Sequence, residues 1–359
     1  MMKLRSAILW IGIFAGFVCD CRCADAAAVV LENRTTQKVE FSIQWPGGKD
    51  SRHVLVAGDI RPIAVTGPIG IVFEADGRSH RYRLQANGIY IFVRRDDRLE
   101  LTGLALPKMG PVGSSSAPPC PALPSKETDS VCTIPIKILA DDQEPTVRAV
   151  WEKRLRERIE AASDIFERCC RVRFNVVAVD TWTADPGDTE FEQAVAKFER
   201  LVSPSPGRIA IGFTGHFKWD PSEKHVGGIR GPLRSHILIR EALVRVSEPE
   251  RLEVLVHELG HYLGAAHSAE STSVMRPTLG DRQSCLRGFR IGFDAPNTLA
   301  MYLIAEEYGR RPIRSLQELS PETKMPLRGI YAWLMRALPE DPAAPRYLSL
   351  VDVPIRTGP

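Results

Sequence analysis

The chain lacks a membrane-spanning stretch: a spanning helix requires about 20 apolar residues, and the apolar run at residues 7–18 has only 12. No second long apolar run follows it. Blocks of five or six like charges are also absent, and the formal net charge is only +3 with a pI near 8.4. Charge therefore gives no ground for a nucleic-acid or membrane-surface partner. Cysteine is scarce beyond the first two dozen residues, with only Cys120, Cys132, Cys169, Cys170 and Cys285. A disulfide-dense miniature scaffold is excluded. What remains, 359 residues with 44% hydrophobic and 25% charged side chains, is the balance of ordinary globular protein and enough chain for two domains with appendages.

Lys3 and Arg5 precede the 12-residue apolar run, and a short polar stretch after it ends Ala24-Asp25-Ala26. A basic start, an apolar centre and a small-x-small end form the pattern of a secretory signal over residues 1–26. The expectation is a secreted, periplasmic or otherwise extracytoplasmic protein without a membrane span once that signal is cleaved. Cleavage removes Cys19, Cys21 and Cys23. The five cysteines left allow up to two disulfides and one spare thiol in an oxidising compartment, and spacing does not assign the pairs.

Residues 27–106 alternate with period two, as in Val39-Glu40-Phe41-Ser42-Ile43 and Gly88-Ile89-Tyr90-Ile91-Phe92-Val93, with turn signals at Pro46-Gly47-Gly48, Asp76-Gly77 and Asn87-Gly88. They predict a small antiparallel all-β domain, sandwich or barrel-like. Its His53 and His80 are scattered and read as surface residues. Residues 107–130, with Pro118-Pro119, Pro121 and Ser114-Ser115-Ser116, read as an extended linker. From residue 131 the pattern becomes mixed. A strand near residues 133–139 leads into a helix over 146–169, with Val147, Val150, Trp151, Leu155, Ile159, Ala162 and Phe166 at helical spacing. A strand over 171–179, a helix over 190–202, a strand over 208–213 and two short strands within 227–239 follow. Such alternation predicts a sheet with helices packed on it. The domain is expected to end near residue 310, leaving 311–359 as a C-terminal extension with one apolar helical stretch at 327–338.

Ser247, Pro249 and Glu250 open a further predicted helix through residue 263. It contains His257-Glu258-Leu259-Gly260-His261. Residues four apart share a helix face, so both imidazoles can meet one Zn²⁺ at about 2.0–2.1 Å. Glu258, one residue along, points to the side where the hydrolytic water would lie. Gly264 can end the helix with φ > 0 at little cost and turn the chain so that His267 supplies a third ligand. His257, Glu258, His261, Gly264 and His267 would coincide by chance about 10⁻⁵ times per chain of this size. Three buried histidines without a shared partner would also be costly.

Residues 257–277 resemble the signature of the metzincin zinc metallopeptidases, most closely the matrixin branch. Ser268 stands where matrixins carry that residue, and Ser273-Val274-Met275-Arg276-Pro277 resembles their Met-turn. The resemblance in element order covers residues 132–308. It implies an α+β zincin-like catalytic domain with a mixed sheet and a long active-site helix, preceded here by the small all-β domain. It implies one catalytic Zn²⁺ on His257, His261 and His267, Glu258 as general base, Met275 as a hydrophobic floor, and hydrolysis of a protein or peptide substrate. In similar enzymes the substrate lies antiparallel to a sheet edge. That edge is expected at residues 225–231, with Gly227, Gly228 and Ile229 binding substrate and Thr278 and Leu279 bordering the pocket after the cut.

His216, His225 and His236 lack an Asp partner at matching positions and predict no second zinc. Two roles for Cys120 stay open: a local disulfide with Cys132, or a latency thiol whose surroundings depart from the family's switch motif. An alternative to a broad endopeptidase also remains, in which the β domain docks a surface or matrix partner and proteolysis is narrow or self-directed.

Overall fold

The computed structural model describes residues 27–107, 131–184, 190–216, 227–241, 247–286 and 288–352. The predicted signal, nearly all of the predicted linker with Cys120, and His225 lie outside these residues. Pairing of Cys120 with Cys132 therefore lies outside them too. Cys132, Cys169, Cys170 and Cys285 form no disulfide among the described residues.

Eight strands, β1 (Ala28–Asn33), β2 (Val39–Gln44), β3 (Ser51–Leu55), β4 (Ile60–Ala64), β5 (Ile69–Ala75), β6 (Arg78–Leu84), β7 (Ile89–Arg95) and β8 (Arg98–Gly103), form two sheets ordered β4-β1-β7-β8 and β3-β2-β5-β6. Alternation decides which side chains face inward: Val39, Phe41 and Ile43 of β2 and Ile69, Ile71 and Phe73 of β5 are buried against Leu31 and Phe92 of the opposite sheet. The expected purely antiparallel arrangement needs one correction, because β1 and β7 run parallel. The chain reaches β7 from β1 only after crossing to the other sheet and back. β1 is buried at all six positions. Val29 and Leu31 fill the sandwich, while Ala28 and Val30 join the core of the rest of the molecule. A strand covered on both faces has an apolar run in place of an alternation, which is what Ala27-Ala28-Val29-Val30-Leu31 provides.

The second sheet is mixed, ordered β10-β9-β11-β13-β12, from β9 (Cys132–Asp141), β10 (Val172–Trp182), β11 (Ile209–Thr214), β12 (Gly227–Gly228) and β13 (His236–Arg240). Four strands are parallel and β12 is antiparallel at the edge. Helix α1 (Arg148–Cys170) connects β9 to β10, burying Trp151, Leu155, Ile159, Ala162 and Phe166. Val147 and Val150 are 72% and 51% exposed, contrary to the expected stripe. The helix starts one residue after Val147, and its buried face begins at Trp151. Arg158, buried on the same face, forms ion pairs with Glu241 and Glu248, its Nη2 lying 2.9 Å from the Glu248 carboxylate.

Helices α2 (Phe191–Leu201), α3 (Glu248–Tyr262), α4 (Ala295–Arg310), α5 (Pro321–Ala337) and α6 (Ala343–Asp352) complete the order. Ser247 opens α3 with its N–H donating to the Glu250 carboxylate at 2.9 Å, half of a capping box. Asp294 caps α4, accepting from the Asn297 N–H at 3.0 Å. Its other oxygen accepts from Ser273 Oγ at 2.8 Å and Asn297 Nδ2 at 2.8 Å. Asn297 in turn holds both backbone groups of Ala266, donating to its carbonyl and accepting from its N–H at 2.9 Å each. One N-terminus thus fixes two loops below α3. Asp294→Ala removes the cap and leaves buried donors without acceptors, so it should cost about 2–4 kcal/mol. Denaturant unfolding at constant m-value measures this, and an unchanged midpoint contradicts it.

Candidate metal centre and active site

His257 and His261 occupy successive turns of α3 with ring centroids 4.6 Å apart. At the helix end Gly264 takes φ +84°, and a Cβ there would meet Ile304 Cδ1 at 2.4 Å. The required backbone conformation and the lack of space both demand glycine. The turn brings His267 within 4.8 and 5.3 Å, centroid to centroid, of His261 and His257. One ligand atom from each of the three lies within 4.8 Å of the others.

Hydrogen bonds set the tautomers. His257 Nδ1 contacts the Val274 carbonyl at 2.8 Å and His261 Nδ1 contacts the Ala265 carbonyl at 2.8 Å. A carbonyl only accepts, so each Nδ1 carries the proton and each Nε2 presents a lone pair. His267 Nδ1 lies 2.6 Å from Asp341 Oδ2, with the same consequence. His261 and His267 Nε2 are 3.2 Å apart. A tetrahedral zinc at 2.0–2.1 Å from each nitrogen would hold them about 3.3 Å apart. The donor set therefore fits Zn²⁺. Burial, reinforced by His257 and His267, holds His261 well below the usual histidine range, keeping it neutral as a ligand must be.

Met275 is buried beneath α3, and a Cβ on Gly260 would meet its Sδ at 2.8 Å. Its turn is secured by Met275 N–H donating to Ser273 Oγ at 3.1 Å and by Ser268 N–H donating to the Met275 carbonyl at 2.9 Å. Arg276 ties the turn to Glu253 of α3 at 2.7 Å and to Asp281 at 2.8 Å.

Glu258 stands beside the histidines against the edge strand. A Cβ on Gly227 would fall 2.6 Å from Glu258 Oε1, so the glycine is needed for close approach. Burial, with the charge of Glu192 adding, pushes the Glu258 carboxyl up to about 8. A cation among the imidazoles acts in the opposite direction. The cleft includes Gly227, Gly228, Ile229 and Leu279. Thr278 is exposed and does not line it, whereas Pro277 does.

Four cleft residues, Pro342, Ala343, Arg346 and Tyr347, come from the C-terminal extension. Asp341 contacts His267, Tyr347 OH lies 3.3 Å from His261 Nδ1, and Tyr331 OH donates to the Gly264 carbonyl at 2.8 Å. Sequence reading missed these residues; Tyr331 alone falls within the apolar helical stretch expected at 327–338. His236 is buried with Nε2 at 2.8 Å from the Val202 carbonyl, and His216 stands two residues beyond β11. Neither joins the three-histidine group.

Residues 213–287 match the family model described as matrixin, across the end of β11, the edge strand, α3 and the Met-turn. Over this segment the chain is similar to the matrixin peptidases. Among solved structures, archaemetzincin from Methanopyrus kandleri is 14% identical, with 44% of this chain and 93% of that one covered at a TM-score of 0.31. Metalloproteinase-II from Bacteroides fragilis is 11% identical, with 76% and 98% covered at 0.33. A chain titled as a chaperone-substrate complex is 11% identical at 0.33, with 79% of this chain and only 42% of that chain covered. A search of curated proteins gives no match.

Two ligands on one helix do not fix a tetrahedral site. His267→Ala should therefore lose bound zinc on dialysis while the parent retains it. Metal analysis of the dialysed proteins decides, and equal zinc content would remove His267 from the ligand set.

Proposed function

We propose that the protein is an exported zinc endopeptidase in which Glu258 is the general base and proton shuttle. The observation that carries this reading is the convergence of three imidazole acceptors beside a buried carboxylate on an open cleft with a sheet edge along one wall. Bound Zn²⁺ supplies Lewis acidity, lowering the pKa of water towards about 7 and polarising a carbonyl. Glu258 accepts a proton from the attacking water as the new C–O bond forms. It returns that proton to the amine nitrogen as the C–N bond breaks, so one carboxylate serves both halves of the hydrolysis.

Backbone recognition falls to β12. Among the described residues it pairs on one side with β13 and is the terminal strand of its sheet, and its outer side would take an extended peptide running antiparallel. Gly227 and Gly228 keep that strand close to Glu258 and to Phe191 of α2, bringing a paired peptide within reach of the base. Leu279 and Pro277 give the cleft an apolar wall after the Met-turn. Export rests on the signal-like pattern of residues 1–26. No helix among the described residues is long and apolar enough to cross a membrane.

Glu258→Gln should retain zinc, because its side chain is not a ligand, and should lose about 10²–10⁴-fold in hydrolysis. Digestion of a peptide library by the mature protein and this variant, with zinc measured in both, tests the reading. A loss below tenfold would assign the proton transfer to another group.

A further inference from the structure

His267 differs from the other two histidines in the partner of its Nδ1. His257 and His261 donate to backbone carbonyls of their immediate surroundings, Val274 and Ala265. His267 donates to a carboxylate, Asp341 Oδ2, from a segment 74 residues later in the chain. We propose that Asp341 is a positioning residue for the metal centre, and that the α5–α6 hairpin is thereby a working part of the peptidase site. The inference rests on the reading of His267 as a zinc ligand.

His267 needs such help more than its partners do. His257 and His261 are fixed by a regular helix, whereas His267 stands on the loop after Gly264 and is half-buried. A carboxylate accepting the Nδ1 proton fixes the ring's rotation, selects the tautomer with its Nε2 lone pair toward the other two, and makes that nitrogen more basic. Asp341 is itself held. Its Oδ1 accepts from the Ala343 N–H at 2.9 Å, at the start of α6, and its own N–H donates to the Leu338 carbonyl at 3.2 Å. The hairpin is docked by two tyrosines in edge contact, centroids 5.7 Å apart. Tyr331 OH donates to the Gly264 carbonyl in the turn that delivers His267, and Tyr347 OH reaches His261. One segment therefore supports the third ligand, the turn before it and the second ligand.

The side chain has two separable jobs, capping α6 and orienting His267. Serine performs the first but is too short for the second. In Asp341→Ser that still unfolds cooperatively without metal, competition with a chromogenic chelator should show Zn²⁺ bound about 10–100-fold more weakly. The visible absorption of the Co²⁺-loaded protein should also change in shape, reporting an altered ligand field that a purely structural cap would not produce. Asp341→Asn, near-isosteric and able to cap, should weaken Zn²⁺ binding in the same direction and provides the comparison if the serine variant folds poorly. Zinc affinity within twofold of the parent in the folded variants, with His267→Ala losing its metal, would overturn the role of Asp341 alone. Retention of zinc by His267→Ala would instead overturn the ligand reading on which it depends.

Discussion

Three imidazoles gathered at one point, each with its Nδ1 engaged by a separate partner, are the constraint around which the rest of this molecule is arranged. In a buried place such a cluster is unfavourable without a cation. It persists because each Nδ1 proton is committed elsewhere, to Val274, Ala265 and Asp341. Each acceptor is in turn held by a separate piece of structure. Val274 belongs to the Met-turn fixed through Ser273 and Asp294. Ala265 lies in the turn made by Gly264 and closed by Tyr331, and Asp341 opens the last helix. The site is thus assembled from four parts of the chain, although its three histidines span only residues 257–267.

Close approach matters as much as hydrogen bonding. Gly227, Gly260 and Gly264 stand where an added Cβ would strike Glu258, Met275 or Ile304 at under 3 Å. Each brings one group nearer than a side chain would allow: Glu258 to the edge strand, Met275 to the helix, His267 to the other two histidines. Asn297 serves the same end by gripping both backbone groups of Ala266, the residue before His267. Without it the loop would have to satisfy buried amide groups in some other way.

The local features of the site were legible because local physics determines them. Helical spacing placed His257 and His261 on one face, and a glycine after the helix predicted the turn that the structure shows at φ +84°. Element order from β9 to α3 followed from hydrophobic period together with the helix-start residues Ser247, Pro249 and Glu250. What escaped notice depends on contacts between distant segments. Asp341 and Tyr347 sit in a stretch whose sequence gives no sign that it returns to His267 and His261. Asp294 and Asn297 look like an ordinary helix start, and only the fold reveals what else they hold. β1 did carry a readable signal, an unbroken apolar run, but its meaning depended on a second covering layer. That layer includes α4, and Ala28, Val30, Ile89 and Ile91 belong to one core with α1, α3 and α4. The β sandwich is therefore built into the peptidase.

The most direct test is the metal's own coordination shell. X-ray absorption at the zinc edge, recorded on purified protein loaded with one equivalent of Zn²⁺, should show three imidazole nitrogens at about 2.0–2.1 Å and a light-atom fourth ligand. A sulfur scatterer at about 2.3 Å, or fewer than three imidazoles around the metal, would contradict the account.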